Sequence, residues 1–465
     1  QEEQYEAKVN DTWPQRALFT TKSLRFNDGS SDYLIRTPSS ASNKDLWTLS
    51  FWIKRSTLGT SQSIYGVYAD SNNQETLAFD SNDKLYWQLY QSGGVVGQLT
   101  TNRLFRDTSA WYHIVVAYDS ANSTAGNRMR MYINGVEETS FATDTNPSSG
   151  QDSQWNSTTA HSIGRINTTN YVDLYMTEFV NVDGQALAPT SFGVTNSDGV
   201  WTPIPYTGTF GTNGFNLQFE DASSLGTDSS ANGNNFTVNN LTSIDQSTDY
   251  PVVNFATWNP LENYYQSNTY SEGNLQVQTQ NTSFTYNFAT IGVSTGKWYW
   301  EVEYDAKSGG TDQPFVGITS TQPTANDQEL GNFPNDFAWY TNNGTGYLSN
   351  NNTYSNVGFN AYTVGDVISV ALDLDNNKLY FAKNGTWEKS GNPESGSTGT
   401  GAISITAPAS TPLGAYFPSV ADGTTSYNAT FKTNFGSPPY SISSGNSDGN
   451  GYGNFEYSVP SGYYA

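Results

Sequence analysis

Residues 365–387 read GDVISVALDLDNNKLYFAKNGTW. Ile368, Val370, Leu372 and Leu374 alternate with Ser369, Ala371 and Asp373, a period of two that places the large apolar groups on one face of a strand. Asp375, Asn376 and Asn377 supply a turn, Leu379 and Phe381 resume the apolar face, and Asn384-Gly385 turns the chain again. An Asn-Gly pair suits a two-residue hairpin, because both central positions need positive φ. The same pattern recurs outward from this stretch. Trp298, Trp300, Val302 and Tyr304 face one way, and Tyr299, Glu301, Glu303 and Asp305 the other. Leu49, Phe51 and Ile53 oppose Ser50, Trp52 and Lys54. Met129, Met131 and Ile133 alternate with Arg128, Arg130 and Tyr132 and end at Asn134-Gly135. No stretch of about 12 residues carries a helical period. The pattern predicts an all-β chain of antiparallel sandwiches.

The chain has 465 residues, enough for two or three domains. Its 43 acidic residues outnumber 20 basic ones, for a net charge of −23, and no basic cluster occurs. That balance argues against nucleic acid or an anionic membrane as a partner. Aromatic residues reach 14 %, which argues against a disordered chain and supplies a core from few side chains. Forty-nine Asn and 42 Gly supply turn chemistry. There is no Cys and there are two His, so thiolate chemistry and a His-rich metal site are excluded. No apolar run approaches the roughly 20 residues of a membrane span, so no membrane insertion is expected. Composition divides the chain into an arm (1–20), a strand-rich unit (21–192) and a looser connector with short strands (193–262). A second strand-rich unit (263–437) and a Ser/Gly/Tyr-rich end (438–465) follow.

Candidate chemistry is sparse. Glu301, Glu303 and Asp305 lie at i, i+2 and i+4 of a predicted strand, roughly 6.5–7 Å apart per step, near the carboxyl spacing of a glycosidase. The competing expectation is a solvated face opposite the Trp298–Tyr304 core face. Asp373–Asn377 begins like a calcium loop, but Lys378 and Asn384 stand where an EF-hand needs Gly and Glu. His113 falls inside a predicted strand, no strained-elbow serine motif accompanies it, and it reads as a packing residue. The best candidate ligand-binding cluster is aromatic: Trp339, Tyr340, Tyr347 and Tyr354, set among Asn342, Asn343 and Asn350–Asn352. Sugar rings stack their apolar faces on aromatic side chains while their hydroxyls bond to Asn, Asp and Gln. Alternation also predicts that Trp339 is core wherever Phe337 is.

Several segments carry family resemblances. SLRFNDGSSDYL (Ser23–Leu34), TLSFWIKR (Thr48–Arg55), WYHIVVAYD (Trp111–Asp119), MRMYINGVE (Met129–Glu137) and VDLYMTEFVNVDGQAL (Val172–Leu187) resemble the laminin-G-like, concanavalin-type jelly roll. GKWYWEVEYD (Gly296–Asp305), FVGI (Phe315–Ile318), Gly365–Trp387, YFPSVA (Tyr416–Ala421) and TNFGSPPY (Thr433–Tyr440) resemble the SPRY domain in order. The SPRY resemblance implies a binding module without catalytic residues. The laminin-G-like resemblance leaves a structural calcium open, with no ligands assigned.

YLIRTPSSASNKDLWTLSFWIKR, Gly214–Leu241 and NFATWNPL (Asn254–Leu261) are together similar to virion proteins of marine phages. That resemblance implies a tail fibre or capsid-attached fibre on the virion surface, outside the cell. Its partners would be a host-surface glycan and other virion proteins. It implies a homo-oligomer, a trimer by preference, and a chain continuing past Ala465. The alternatives are a capsid decoration or fibre module without ligand, a cellular extracellular adhesin or filament subunit, and a glycan hydrolase.

Overall fold

The computed structural model describes residues 20–263, 265–311 and 313–465, so all but one residue of the arm expected at 1–20 lies outside the described residues. The chain forms two antiparallel β-sandwiches, as the alternation predicts. In the first, one sheet runs in the order Val136–Glu137, Met129–Ile133, Trp111–Asp119, Leu46–Arg55, Leu174–Asp183, Ser23–Phe26 and Gln246–Ser247. Its facing sheet contains Gln62–Asp70, Asn73–Phe79, Lys84–Gln91 and Gly94–Leu104 as a meander. Leu49, Phe51, Ile53, Met129, Met131 and Ile133 all point into the core between the sheets, on the faces their spacing assigns. Asn134 and Gly135 have φ of 49° and 82°, the positive pair of a type I′ turn.

In the second sandwich the strand Lys297–Lys307 is flanked by Ala429–Asn434 and Val367–Asp373, and Val367–Asp373 pairs on with Lys378–Lys383. The facing sheet runs Asn287–Phe288, Phe417–Asp422, Pro314–Thr319, Phe337–Asn342, Thr345–Asn350 and Thr353–Ser355. Trp300, Val302, Tyr304, Ile368, Val370, Leu372, Leu374, Leu379 and Phe381 fill the core between them. Among the described residues no helix is long and apolar enough to cross a membrane.

Two stretches differ from the expected division. The looser stretch 193–262 is mostly part of the first sandwich. Phe215–Leu217 pairs with Leu174–Asp183, Thr237–Asn239 with Tyr33–Arg36, and Gln246–Ser247 with Ser23–Phe26. Phe215, Leu217, Phe219, Leu225, Phe236 and Leu241 join its core, so that core draws residues from well past 192. The Ser/Gly/Tyr-rich end packs on the outer face of the second sandwich, where Phe455 and Tyr463 are buried against Tyr299, Ala371 and Tyr380. Burial of these rings explains why a polar, glycine-rich stretch takes up a defined path.

The two sandwiches meet through a buried polar seam. Arg25, fully buried, lies 3.3 Å from Glu272 and 3.6 Å from Asp245. The Tyr175 hydroxyl donates to the Gly273 carbonyl at 2.9 Å, and Asn274 Nδ2 donates to the Ser56 carbonyl at 3.1 Å.

Candidate ligand-binding surface

Adjacent strands of the six-stranded sheet set a row of residues side by side on its outer face. The register pairs Ala421 with Phe315, Phe315 with Tyr340, and Tyr340 with Tyr347. Tyr354 comes from the edge strand next to Tyr347. Phe315 and Tyr340 stack with ring centroids 4.2 Å apart. Tyr354 leans over Tyr340 at 4.8 Å, and Tyr347 sits 6.2 Å from it. Phe315 and Tyr340 form the buried floor, Tyr347 is half-buried, and Tyr354 is 45 % exposed. The result is an aromatic step open to solvent on its Tyr354 side.

One carboxylate is tied to the step and a second lies buried behind it. Tyr354 donates its hydroxyl to Glu329, which lies almost fully out of solvent. Burial pushes the Glu329 carboxyl up, and the Tyr354 bond acts against that rise. Asp422, at the end of the neighbouring strand, is pushed up by burial to about 8. Burial, with Glu329 and Asp422 nearby, also drives the Tyr340 hydroxyl upward. Asn350 is tied down by donating to the Asp336 and Pro334 carbonyls at 2.6 and 2.9 Å. Asn351 and Asn352, at φ of 51° and 56°, form the exposed turn beside Tyr354. An apolar ring face would find an aromatic wall here, with the exposed amides of Asn351 and Asn352 beside it to bond hydroxyls.

The sequence candidates thus separate. Tyr347 and Tyr354 come together at the surface, with Tyr340 beneath them. Trp339 does not join them. It points into the core, fully buried, its indole N–H donating to the Asn360 carbonyl at 3.0 Å. Trp339 is therefore withdrawn as a ligand contact. A period of two sends Trp339 and Tyr340 to opposite faces, and the core takes Phe337 and Trp339 together. Phe315 and Glu329 were missed because they come from distant segments. FVGI marks Phe315 as a strand residue, but nothing local to Glu329 marks it as a neighbour of Tyr354.

The other candidates have structural partners. Glu301 is fully buried, not solvated. Its carboxylate accepts from the Glu456 and Tyr457 backbone N–H groups at 2.9 and 2.8 Å and from the Tyr299 hydroxyl at 2.9 Å. Asp305 pairs with Lys432 at 2.8 Å. Asp373 accepts from the Asn376 backbone N–H and side chain and lies 3.2 Å from Lys297 Nζ. His113 is buried, and Trp201 Nε1 donates to its Nδ1 at 2.9 Å. An indole N–H only donates, so the His113 proton sits on Nε2 and is given to Ser50 Oγ, 2.9 Å away. His113 therefore cannot take a proton from Ser50, and burial lowers its pKa to about 3. Among the described residues no three His, Asp or Glu converge in a way that could hold a metal ion.

A second surface feature had no signal in the sequence. An open groove of about 460 Å³ on the first sandwich is lined by Lys44, Gln91 and residues 148–154. Its walls are polar, and Lys44 spans it to Asp152 at 2.5 Å.

The family models match in the order that these sandwiches occupy. Residues 28–180 match the Concanavalin A-like lectin/glucanases superfamily, in its laminin-G-like model, and residues 297–438 match the SPRY domain. The chain carries a laminin-G-like concanavalin domain followed by a SPRY domain. The aromatic step belongs to the SPRY domain and the polar groove to the laminin-G-like one. Solved structures similar to parts of the chain include the SPRY domain of human HERC1, at 18 % identity and a TM-score of 0.27, covering 34 % of this chain and 86 % of that one. A putative carbohydrate binding protein from Bacteroides ovatus aligns at 16 % identity and 0.33, covering 47 % and 58 %. Domain 4 of AbnA, an extracellular arabinanase from Geobacillus stearothermophilus solved with arabinotriose, aligns at 20 % identity and 0.25, covering 34 % and 69 %. No curated protein matches the chain.

Proposed function

We propose that this chain is a noncatalytic adhesive protein whose SPRY domain binds a glycan on the aromatic step of Tyr347 and Tyr354. The observation that carries the reading is Tyr354 itself, a large ring 45 % exposed, held over Tyr340 and anchored through its hydroxyl to buried Glu329. A ring fixed in this way loses little entropy on stacking a sugar. The laminin-G-like domain, of the lectin and glucanase superfamily, would add a second contact through its polar groove, and two weak sites on one chain gain by avidity. The setting we propose is a phage virion surface, as a tail fibre or capsid-attached fibre facing a host glycan. The similarity of Tyr33–Arg55, Gly214–Leu241 and Asn254–Leu261 to marine-phage chains supports it. Other virion proteins and a homotrimeric assembly are part of that proposal.

The test is a glycan-array screen of the full chain and of Tyr354→Ala, with and without calcium, followed by analysis of bound sugars for cleavage. Selective binding lost at least tenfold in Tyr354→Ala, with the sugars intact, is the expected result. Binding unchanged by the substitution would remove the step from the site, and cleavage would overturn the noncatalytic reading. Loss of binding on chelation would assign a calcium ion to the site.

A further inference from the structure

The most unusual chemical grouping in the molecule lies in the seam between the two sandwiches. Lys54, on the outer face of the strand Leu46–Arg55, has a side chain with no solvent exposure. Its Nζ lies 2.8 Å from Asp249 Oδ2, 2.8 Å from Asn254 Oδ1 and 2.8 Å from the Phe255 carbonyl. The Tyr175 ring stands 5.8 Å away. Trp111 Nε1 fixes the carboxylate by donating to Asp249 Oδ1 at 2.9 Å. An ion pair alone would need only Lys54 and Asp249. Asn254 brings a primary carboxamide as well, with its carbonyl oxygen held against the amine.

We propose that Lys54 and Asn254 form a covalent isopeptide bond, with Asp249 as the proton carrier. The Lys54 ammonium passes a proton to the Asp249 carboxylate, leaving a neutral amine. The nitrogen lone pair attacks Asn254 Cγ, forming an N–C bond while the carbonyl π electrons move to Oδ1. Asp249 passes its proton to Oδ1 and accepts one from the attacking nitrogen, while solvent at the exposed Nδ2 protonates it and takes up the Oδ1 proton. The C–Nδ2 bond then breaks, the carbonyl re-forms, and ammonia leaves. One amine and one primary amide become one secondary amide and ammonia, which carries the spare proton away as ammonium. No oxidant or cofactor is needed.

Three features suit the step. The amine, carboxyl and amide are held in place, so the reaction is unimolecular and gains the effective concentration of a positioned pair. Burial disfavours the ionised Asp249 and so favours the carboxylic acid that the step requires. Asn254 is itself an exposed residue, and its Nδ2 donates to the Ser109 carbonyl at 2.7 Å in an exposed position. The leaving ammonia therefore has a way out. The bond would join the laminin-G-like sandwich to the segment that leads into the SPRY domain, closing a covalent loop across 200 positions.

Intact-mass measurement of the folded, full-length chain under denaturing conditions tests this. The expected mass lies about 17 Da, one ammonia, below that of the sequence. Proteolysis should yield a branched peptide joining the Lys54 and Asn254 segments. Asn254→Ala keeps the Lys54–Asp249 pair and should restore the full mass of its own sequence, as should Asp249→Asn. A wild-type mass equal to that of the sequence overturns the proposal without any variant. A loss of about 18 Da with the branch at Asp249 would also overturn it, since water and a different acyl group would be involved.

Discussion

Both sandwiches bury the outer face of a sheet beneath a later segment of chain, but they hold that segment differently. In the laminin-G-like domain the hairpin of Gly193–Thr195 and Trp201–Pro203 lies over Trp52, Trp111 and Tyr175. It is keyed by one side chain: the Trp201 indole N–H enters His113, whose other nitrogen is committed to Ser50. In the SPRY domain the C-terminal segment lies over Tyr299 and Tyr380 and is keyed through its backbone, two successive N–H groups donating to Glu301. Tyr464 then continues the attachment, with the Tyr299 N–H donating to its carbonyl at 2.8 Å. A neutral ring receives the first segment and a buried carboxylate the second. A buried polar acceptor on the outside of a sheet marks where another piece of chain will sit, because an unpaired one is costly.

The first way to break the comparison is to remove the keys. His113→Ala should have the largest effect. It empties a fully buried site and leaves Ser50 and the Trp201 indole without their partner, a loss of about 3 kcal/mol by the usual cost of cavities and orphaned polar groups. Urea unfolding followed by tryptophan fluorescence would measure it. A cost below about 1 kcal/mol would mean that packing alone holds the hairpin.

Glu301→Gln is the gentler counterpart. An amide keeps one acceptor oxygen and turns the other position into a donor facing a backbone N–H, so one of the two N–H groups loses its partner. The expected cost is about 2 kcal/mol. Limited proteolysis should cut within 443–465 faster than in the wild type while the sandwich stays intact. Equal cutting rates would show that Phe455 and Tyr463 hold the segment without the carboxylate.

The smallest expected effect sharpens the comparison through pH. Both histidines of the chain are buried in the laminin-G-like domain, with pKa values lowered to about 3 for His113 and about 4 for His161. The unfolded chain takes up protons near pH 6.5 that these buried rings refuse, so their contribution declines as pH falls below that value. Carboxyls raised by burial act in the opposite sense. Asp32, at about 6, Glu75 and Asp173, at about 7, and Glu178, raised well above its ordinary value, belong to the first domain, and Asp336 and Asp422, at about 6 and 8, to the second. The native state holds their protons where the unfolded chain has lost them, so their contribution falls as pH rises from about 4 through these values. The SPRY domain has only the second kind of group. The raised carboxyls should therefore stabilise 28–180 as the pH falls from 7 to 5, and the histidines should oppose that gain. His161→Gln should then slow amide exchange in 28–180 at pH 5 relative to pH 7 by more than in the wild type, after correction for intrinsic rates. Equal change in variant and wild type would remove His161 as a source of that opposition.

Periodicity placed the inward residues correctly, from Leu49, Phe51 and Ile53 to Ile368, Val370 and Leu372. It also separated Trp339 from Tyr340, although the aromatic cluster read as a unit had joined them. Asn134-Gly135 and Asn384-Gly385 turn where they were expected to, because positive φ at both positions is a local demand. The candidate surface was only half legible. Tyr347 and Tyr354 were visible as exposed aromatics among asparagines, whereas Phe315 and Glu329 reach Tyr354 through strand pairing and loop closure.

The amino-acid sequence by itself determined two antiparallel sandwiches, their order, their core faces and their turns, since each depends on neighbours within a few residues. Only the tertiary structure decided what lies on the outer faces. Alternation shows that His113, Lys54 and Glu301 point away from the core, but not that Trp201, Asn254 and Tyr457 come to meet them. Those contacts join segments up to 200 positions apart. Which distant segment buries an outward face follows from the free energy of the whole chain, not from any repeat within one strand.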